Sequence, residues 1–125
     1  MGTQDTEYVI DTLADGIYWY AVKKGWWKDQ DLEDANTVAS KLALIHSEVS
    51  EALEALRIGD LDMRIDDSGK PEGLVTELAD TVIRILDLDA ALRKQGIVKH
   101  SLAEAIVIKM KYNETRPERH GGKAL

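Results

Sequence analysis

The sequence predicts an all-α fold, a four-helix bundle, on three observations. Apolar residues recur at three- and four-residue spacing in four stretches. Glycines stand where three of those stretches stop, and no segment reads convincingly as a strand. The first helix is expected from about Asp5 to Lys24, with Ile10, Leu13, Ile17 and Tyr20 as its stripe, capped by Asp5 or Thr6 and stopped by Gly25. The polar link Asp29 to Ala35 leads to a second helix from about Asn36 to Ile58, with Val38, Leu42, Ile45, Val49 and Leu56 inward and Gly59 as its stop.

Gly59 to Pro71 is rich in Asp and Gly and reads as a loop. The third helix is expected to start near Pro71, a good first-turn residue, and to end near Gly96, with Val75, Leu78, Val82, Ile85 and Leu86 inward. Ser101 with Glu104 forms a capping box for the fourth, which runs out near Thr115-Arg116-Pro117. Residues 118–125 are expected to be an irregular tail. Leu44, Leu53, Ile83 and Leu88 lie off the main stripes, and a second apolar face predicts a homo-oligomer.

At 125 residues the chain is long enough for one domain, 1–125, and too short for two. It has no Cys, which removes disulfides and thiolate metal sites. No apolar run approaches the ~18 residues of a membrane span, and the polar, acidic start is unlike a signal peptide. The expectation is a cytoplasmic protein with no membrane partner. A formal net charge of -7 argues against a general nucleic-acid surface. From Lys109 onward the balance reverses, with Lys109, Lys111, Arg116, Arg119 and Lys123 against Glu114 and Glu118.

Two carboxylate pairs carry the chemistry. Glu48 and Glu51 stand three residues apart, as do Glu77 and Asp80, so each pair shares one helix face. Brought face to face, the four would repel one another, and hard divalent cations with a preference for oxygen would relieve that repulsion. A metal site between helices suggests phosphate chemistry. The bland alternative for either pair alone is a solvated helix face. A calcium loop in Asp60 to Glu72 is excluded, because no register places Gly at the sixth position.

The segments Leu44 to Arg57, Glu77 to Asp87 and Lys109 to Lys123 together resemble the MazG-like all-α nucleoside triphosphate pyrophosphohydrolase family. The shared features are E-x-x-E followed by E-x-x-D, the Trp26-Trp27 link and the Asn113…Arg116…His120-Gly-Gly-Lys123 tail. The resemblance spans Trp26 to Lys123. It implies hydrolysis of a (deoxy)nucleoside triphosphate to the monophosphate and pyrophosphate with two or more Mg²⁺ or Mn²⁺ ions, in nucleotide-pool control. It also implies dimers, or tetramers made of dimers, with sites formed partly at subunit interfaces.

For that reaction Glu48, Glu51, Glu77 and Asp80 are the expected metal ligands. Glu48 and Glu51 are the expected catalytic residues, and Glu51 is preferred for bridging metals or taking the water proton. Some relatives place an extra Glu before the first motif. Ser47 stands there in this chain, and Glu54 is a candidate for its role. Lys109, Asn113 and Arg116 form one stripe suited to phosphate, with Lys123 beyond the Gly121-Gly122 turn. The base is expected to stack on Trp26 or Trp27, opposite His46. A guanine nucleotide is favoured, because a broad Trp platform suits a purine and acidic groups can accept from guanine N1 and N2. Arg84 is expected either to pair with Asp80 or Asp87 or to orient a ligand carboxylate. Two other functions compete. A helical metal-carboxylate protein of the ferritin-like kind would need Glu-x-x-His, which these pairs lack. A non-catalytic helical dimerisation module would be expected to lose some of these groups, and the chain keeps them all.

Overall fold

The computed structural model describes residues 2–117. Four helices dominate: α1 (Thr3–Lys23), α2 (Ala35–Arg57), α3 (Leu74–Lys94) and α4 (Leu102–Glu114). The long α3 is central. It packs against α2 on one side and α1 on another, and α1 in turn carries α4. No helix among the described residues is long and apolar enough to cross a membrane.

The expected stops and one expected cap are present. Gly25, Gly59 and Gly96 each follow their helix at positive φ. At Gly59 the turn is a Schellman closure: its N–H donates to Leu56 O and the next N–H, of Asp60, to Ala55 O. Ser101 and Glu104 form the complete capping box of α4. Asp34 caps α2 by accepting from the Asn36 N–H. At the first helix the expectation needs correcting. α1 starts at Thr3 behind Gly2 with no side-chain cap, and the Thr6 hydroxyl instead donates back to the Gly2 carbonyl.

The loop before α3 differs from the sequence reading. Arg64–Ile65 (β1) pairs antiparallel with Pro71–Glu72 (β2), with Ile65 opposite Pro71. Pro71 therefore closes a short hairpin and is not the first turn of α3. The Asp66 carboxylate organises its tip by accepting from the Ser68 N–H and hydroxyl and from the Lys70 N–H. The helix begins only after Gly73, whose φ is 107°. A Cβ at Gly73 would collide with the Asp62 carbonyl oxygen, so this approach of two backbones requires glycine. Leu74 N–H then donates to Asp60 O and Val75 N–H to Leu61 O, which satisfies two of the free donors at the α3 start.

The core is small and rich in alanine. One cluster joins Ala21, Trp27, Leu32, Leu88 and Ala91; another joins Ala14, Leu86 and Ala90. Many residues of the expected inward stripes are outside it. Leu13, Tyr20, Leu42, Val49, Leu56, Val75, Leu78 and Val82 all stay exposed, alongside the off-stripe Leu44, Leu53 and Ile83. Close helix approach through alanine explains this: small residues line the contact, and larger neighbours one position round the helix face outward.

A buried polar clamp ties α3 to α1 and α4. Asp89, 8 % exposed, accepts from the Leu102 N–H at 2.8 Å and from the Arg93 guanidinium at 3.2 and 3.3 Å. Arg93 also reaches Asp15 of α1 at 3.1 Å. The acid sits at the N-terminal end of α4, where it complements the helix dipole.

Candidate metal centre and adjoining cavity

α2 and α3 run antiparallel with their acidic turns apposed. Carboxylate oxygens of Glu48, Glu77 and Asp80 all lie within 4.8 Å of one another. The i, i+3 spacing puts Glu77 and Asp80 on one face of α3, and Glu48 meets them from α2. Desolvation raises the Glu77 carboxyl above its ordinary value, with further upward pushes from Asp80, Glu48 and Glu51. Asp80 is also raised, first by desolvation and then by Glu48, against lowering by Arg84 and Lys70. Like charges thus share a partly desolvated site. Its donor set is oxygen alone, which fits a hard divalent cation and not a soft one.

Glu51, the fourth expected ligand, stands one turn along α2 and is exposed. It lies outside the group of three, yet it is near enough to push Glu77 upward. Glu54 points away towards Arg57, 3.9 Å distant. The Ser47 hydroxyl is spent on the Leu44 carbonyl of its own helix. Arg84 pairs with neither Asp80 nor Asp87; it contacts an expected ligand carboxylate, the other expected placement, with its Nε donating to Glu48 Oε1 at 2.8 Å.

Two of the three, Glu48 and Asp80, open onto a cavity of about 700 Å³ between α1, α2 and α3. Glu48 and Asp80 line one end and Lys41, Trp27 and Asp87 the other. Trp27 is in the core rather than on an open platform. Its ring meets Tyr18 at 5.8 Å between centroids, and its Nε1–H donates to both Asp87 oxygens at 3.0 and 3.2 Å. The Lys41 ammonium lies 4.5 Å from the Trp27 ring centroid. Trp26, 66 % exposed, is the open indole of the pair. His46 is exposed on α2 and does not line the cavity. Sequence reasoning missed Asp87 as a site residue and missed Lys41 altogether. The available signal was their spacing, each seven residues from a carboxylate of the centre.

The expected phosphate-binding cations are elsewhere in the chain. Lys109, Asn113 and Arg116 are exposed on or after α4, which packs on α1, and none of them lines the cavity. The Lys109 ammonium rests over the Tyr112 ring, 4.8 Å from its centroid. Lys123, with His120 and the Gly121-Gly122 turn, lies outside the described residues.

Comparison of the chain with protein families, with curated proteins and with solved structures finds no match.

Proposed function

We propose that this chain is a metal-dependent nucleoside triphosphate pyrophosphohydrolase of the MazG-like kind. The observation that carries this reading is the convergence of Glu48, Glu77 and Asp80, two of which, Glu48 and Asp80, line a cavity large enough for a nucleotide. Bound Mg²⁺ or Mn²⁺ would supply charge neutralisation and Lewis-acid activation. Glu48, Glu77 and Asp80 would hold the cations, with Glu51 approaching from the next turn as the group that accepts the proton of the attacking water. Water attacks the α-phosphorus, the α–β anhydride breaks, and pyrophosphate leaves.

The reading includes a homo-oligomer, dimer or tetramer. Two features favour it. Large apolar side chains on α2 and α3 stay exposed around the acidic turns, among them Val49, Leu53, Leu78 and Val82. Lys109 and Arg116 stand on and just after α4, which packs on α1, so a second copy is the simplest way for these two cations to join Lys41 and Arg84 at a bound triphosphate. The test is pyrophosphate release from each natural dNTP and NTP with Mg²⁺ or Mn²⁺, alongside mass by light scattering. Metal-dependent release from a dimer or tetramer is expected. Silence on every substrate, or a monomer with full activity, contradicts one or the other part.

A further inference from the structure

We propose that Asp87, held by the Trp27 indole at the inner end of the cavity, reads the nucleobase and selects guanine by accepting from two adjacent N–H groups. The inference rests on the reading above, in which the carboxylate centre is the phosphate end. Three relationships carry it.

The first is span. Asp80 and Asp87 lie seven residues apart on α3, and Lys41 and Glu48 seven apart on α2. Seven residues are two helical turns, so both pairs share a face and are separated by about 10.5 Å along the axis. That is of the order of the reach from the α-phosphate of a nucleotide to the far edge of its purine. With phosphates at Glu48 and Asp80, the base edge arrives at Asp87.

The second is acceptor capacity. A carboxylate offers about four lone-pair directions, and Trp27 supplies a single proton shared between both oxygens. That bond takes the edge between the two oxygens and fixes the orientation of Asp87; the outer lone-pair directions stay free, and one outward oxygen can accept both adjacent protons. Burial pushes its carboxyl above the ordinary range, against lowering by Trp27, Lys41 and Arg84. A carboxylate that has lost water gains from a ligand donor that replaces it.

The third is complementarity. Among the common bases, guanine alone presents two adjacent donors, N1–H and the N2 amino group, on its pairing edge. Adenine and cytosine place an acceptor beside their amino group and would set a lone pair against the carboxylate. Thymine and uracil offer one N–H flanked by carbonyls. Tyr20 and Trp26 bring exposed aromatic faces to the cavity wall, which suits the larger ring.

The test measures binding, so that it does not depend on turnover. Calorimetry is run with Mg²⁺ and α,β-imido triphosphates of guanosine, inosine, xanthosine, adenosine and cytidine. Inosine keeps N1–H and lacks the N2 amine, so it should bind roughly ten- to a hundredfold more weakly than guanosine. In Asp87→Asn the amide oxygen accepts from Trp27 and the amide N–H faces the base, where it can donate to O2 of xanthine but opposes the guanine donors, so the variant should prefer xanthosine over guanosine. Equal binding of guanosine and inosine by the unaltered chain overturns the proposal, whether or not the variant folds. A folded Asp87→Asn that keeps the guanosine ranking overturns it too. Pyrophosphate release from every triphosphate without regard to base would remove this inference and leave the hydrolase standing. Guanosine selectivity that tracks Asp87 with no hydrolysis would support the base-reading role and remove the hydrolase.

Discussion

Arg84 Nε lies 2.8 Å from Glu48 Oε1, so one of the three clustered carboxylates has a fixed cationic partner across α2 and α3. The Glu48 side chain is 15 % exposed and that of Arg84 43 %. This pair partly offsets the repulsion that would otherwise push the two helices apart. A metal ion binding at Glu48 competes with Arg84. Arg84→Met should therefore bind Mn²⁺ more tightly in a calorimetric titration and melt lower in the absence of metal. Weaker Mn²⁺ binding by the variant would show that Arg84 holds Glu48 in its ligating orientation instead.

Glu77 gives the pH dependence. Its carboxyl is raised above its ordinary value of 4.5, mainly by desolvation. Between the ordinary and the raised value the folded chain holds more protons than the unfolded chain, so this residue's contribution to stability falls as pH rises through that window. Above the raised value the whole cost is present, and below the ordinary value it is gone. Metal-free Glu77→Gln should thus melt higher than the unaltered chain at pH 7, with the difference shrinking as pH drops through the carboxylate range. Added Mg²⁺ should raise the melting temperature of the unaltered chain and leave that of Glu77→Gln nearly unchanged. A variant that melts lower at pH 7 without metal would mean that Glu77 is structurally paired.

Asp89 tests the scaffold apart from the site. Replacing it with Ala leaves the Leu102 N–H and the Arg93 guanidinium short of a buried acceptor. The cost should be about 3 kcal/mol by urea unfolding, since removing one partner of a buried charge pair leaves the other uncompensated. A loss below about 1 kcal/mol would indicate that water replaces the carboxylate without difficulty.

Much of the fold was legible in local signals. The three glycine stops and the Ser101–Glu104 box depend only on neighbouring backbone, so the sequence carries them nearly complete. Helix faces were less legible. A stripe such as Leu42, Val49 and Leu56 reads as inward by period, but Ala52 and Ala55 are the buried residues of α2. Period tells that a face is apolar; it does not tell whether the same chain covers it. Pro71 was misplaced because a first-turn proline and a strand-edge proline share the same φ. Within the candidate site, i, i+3 spacing puts Glu77 and Asp80 on one face of α3; that Glu48 meets them while Glu51 stays outside the group depends on how α2 and α3 pack. Arg84 bound to Glu48, and Asp87 bound to Trp27, depend on how two distant segments meet, at separations of 36 and 60 residues.

The α4 cations test the shared-site reading. Arg116→Ala should weaken nucleotide use roughly ten- to a hundredfold, the loss of one charge-assisted contact. Its far-UV dichroism and oligomer mass should not change. Arg116→Ala, impaired, and Asp80→Asn, nearly inactive, should when unfolded and refolded together exceed the activity of either alone, because some mixed oligomers then assemble one intact site. No recovery in verified mixed oligomers would place both groups in the same protomer's site.

The central claim is best tested by the initial products. A dNTP incubated with Mn²⁺ and the unaltered chain, followed by ³¹P NMR, should give the monophosphate and pyrophosphate in equal amounts. Asp80→Asn, helical by dichroism, should reduce that rate by orders of magnitude. Diphosphate with orthophosphate as first products, or an undiminished rate in Asp80→Asn, would contradict the account.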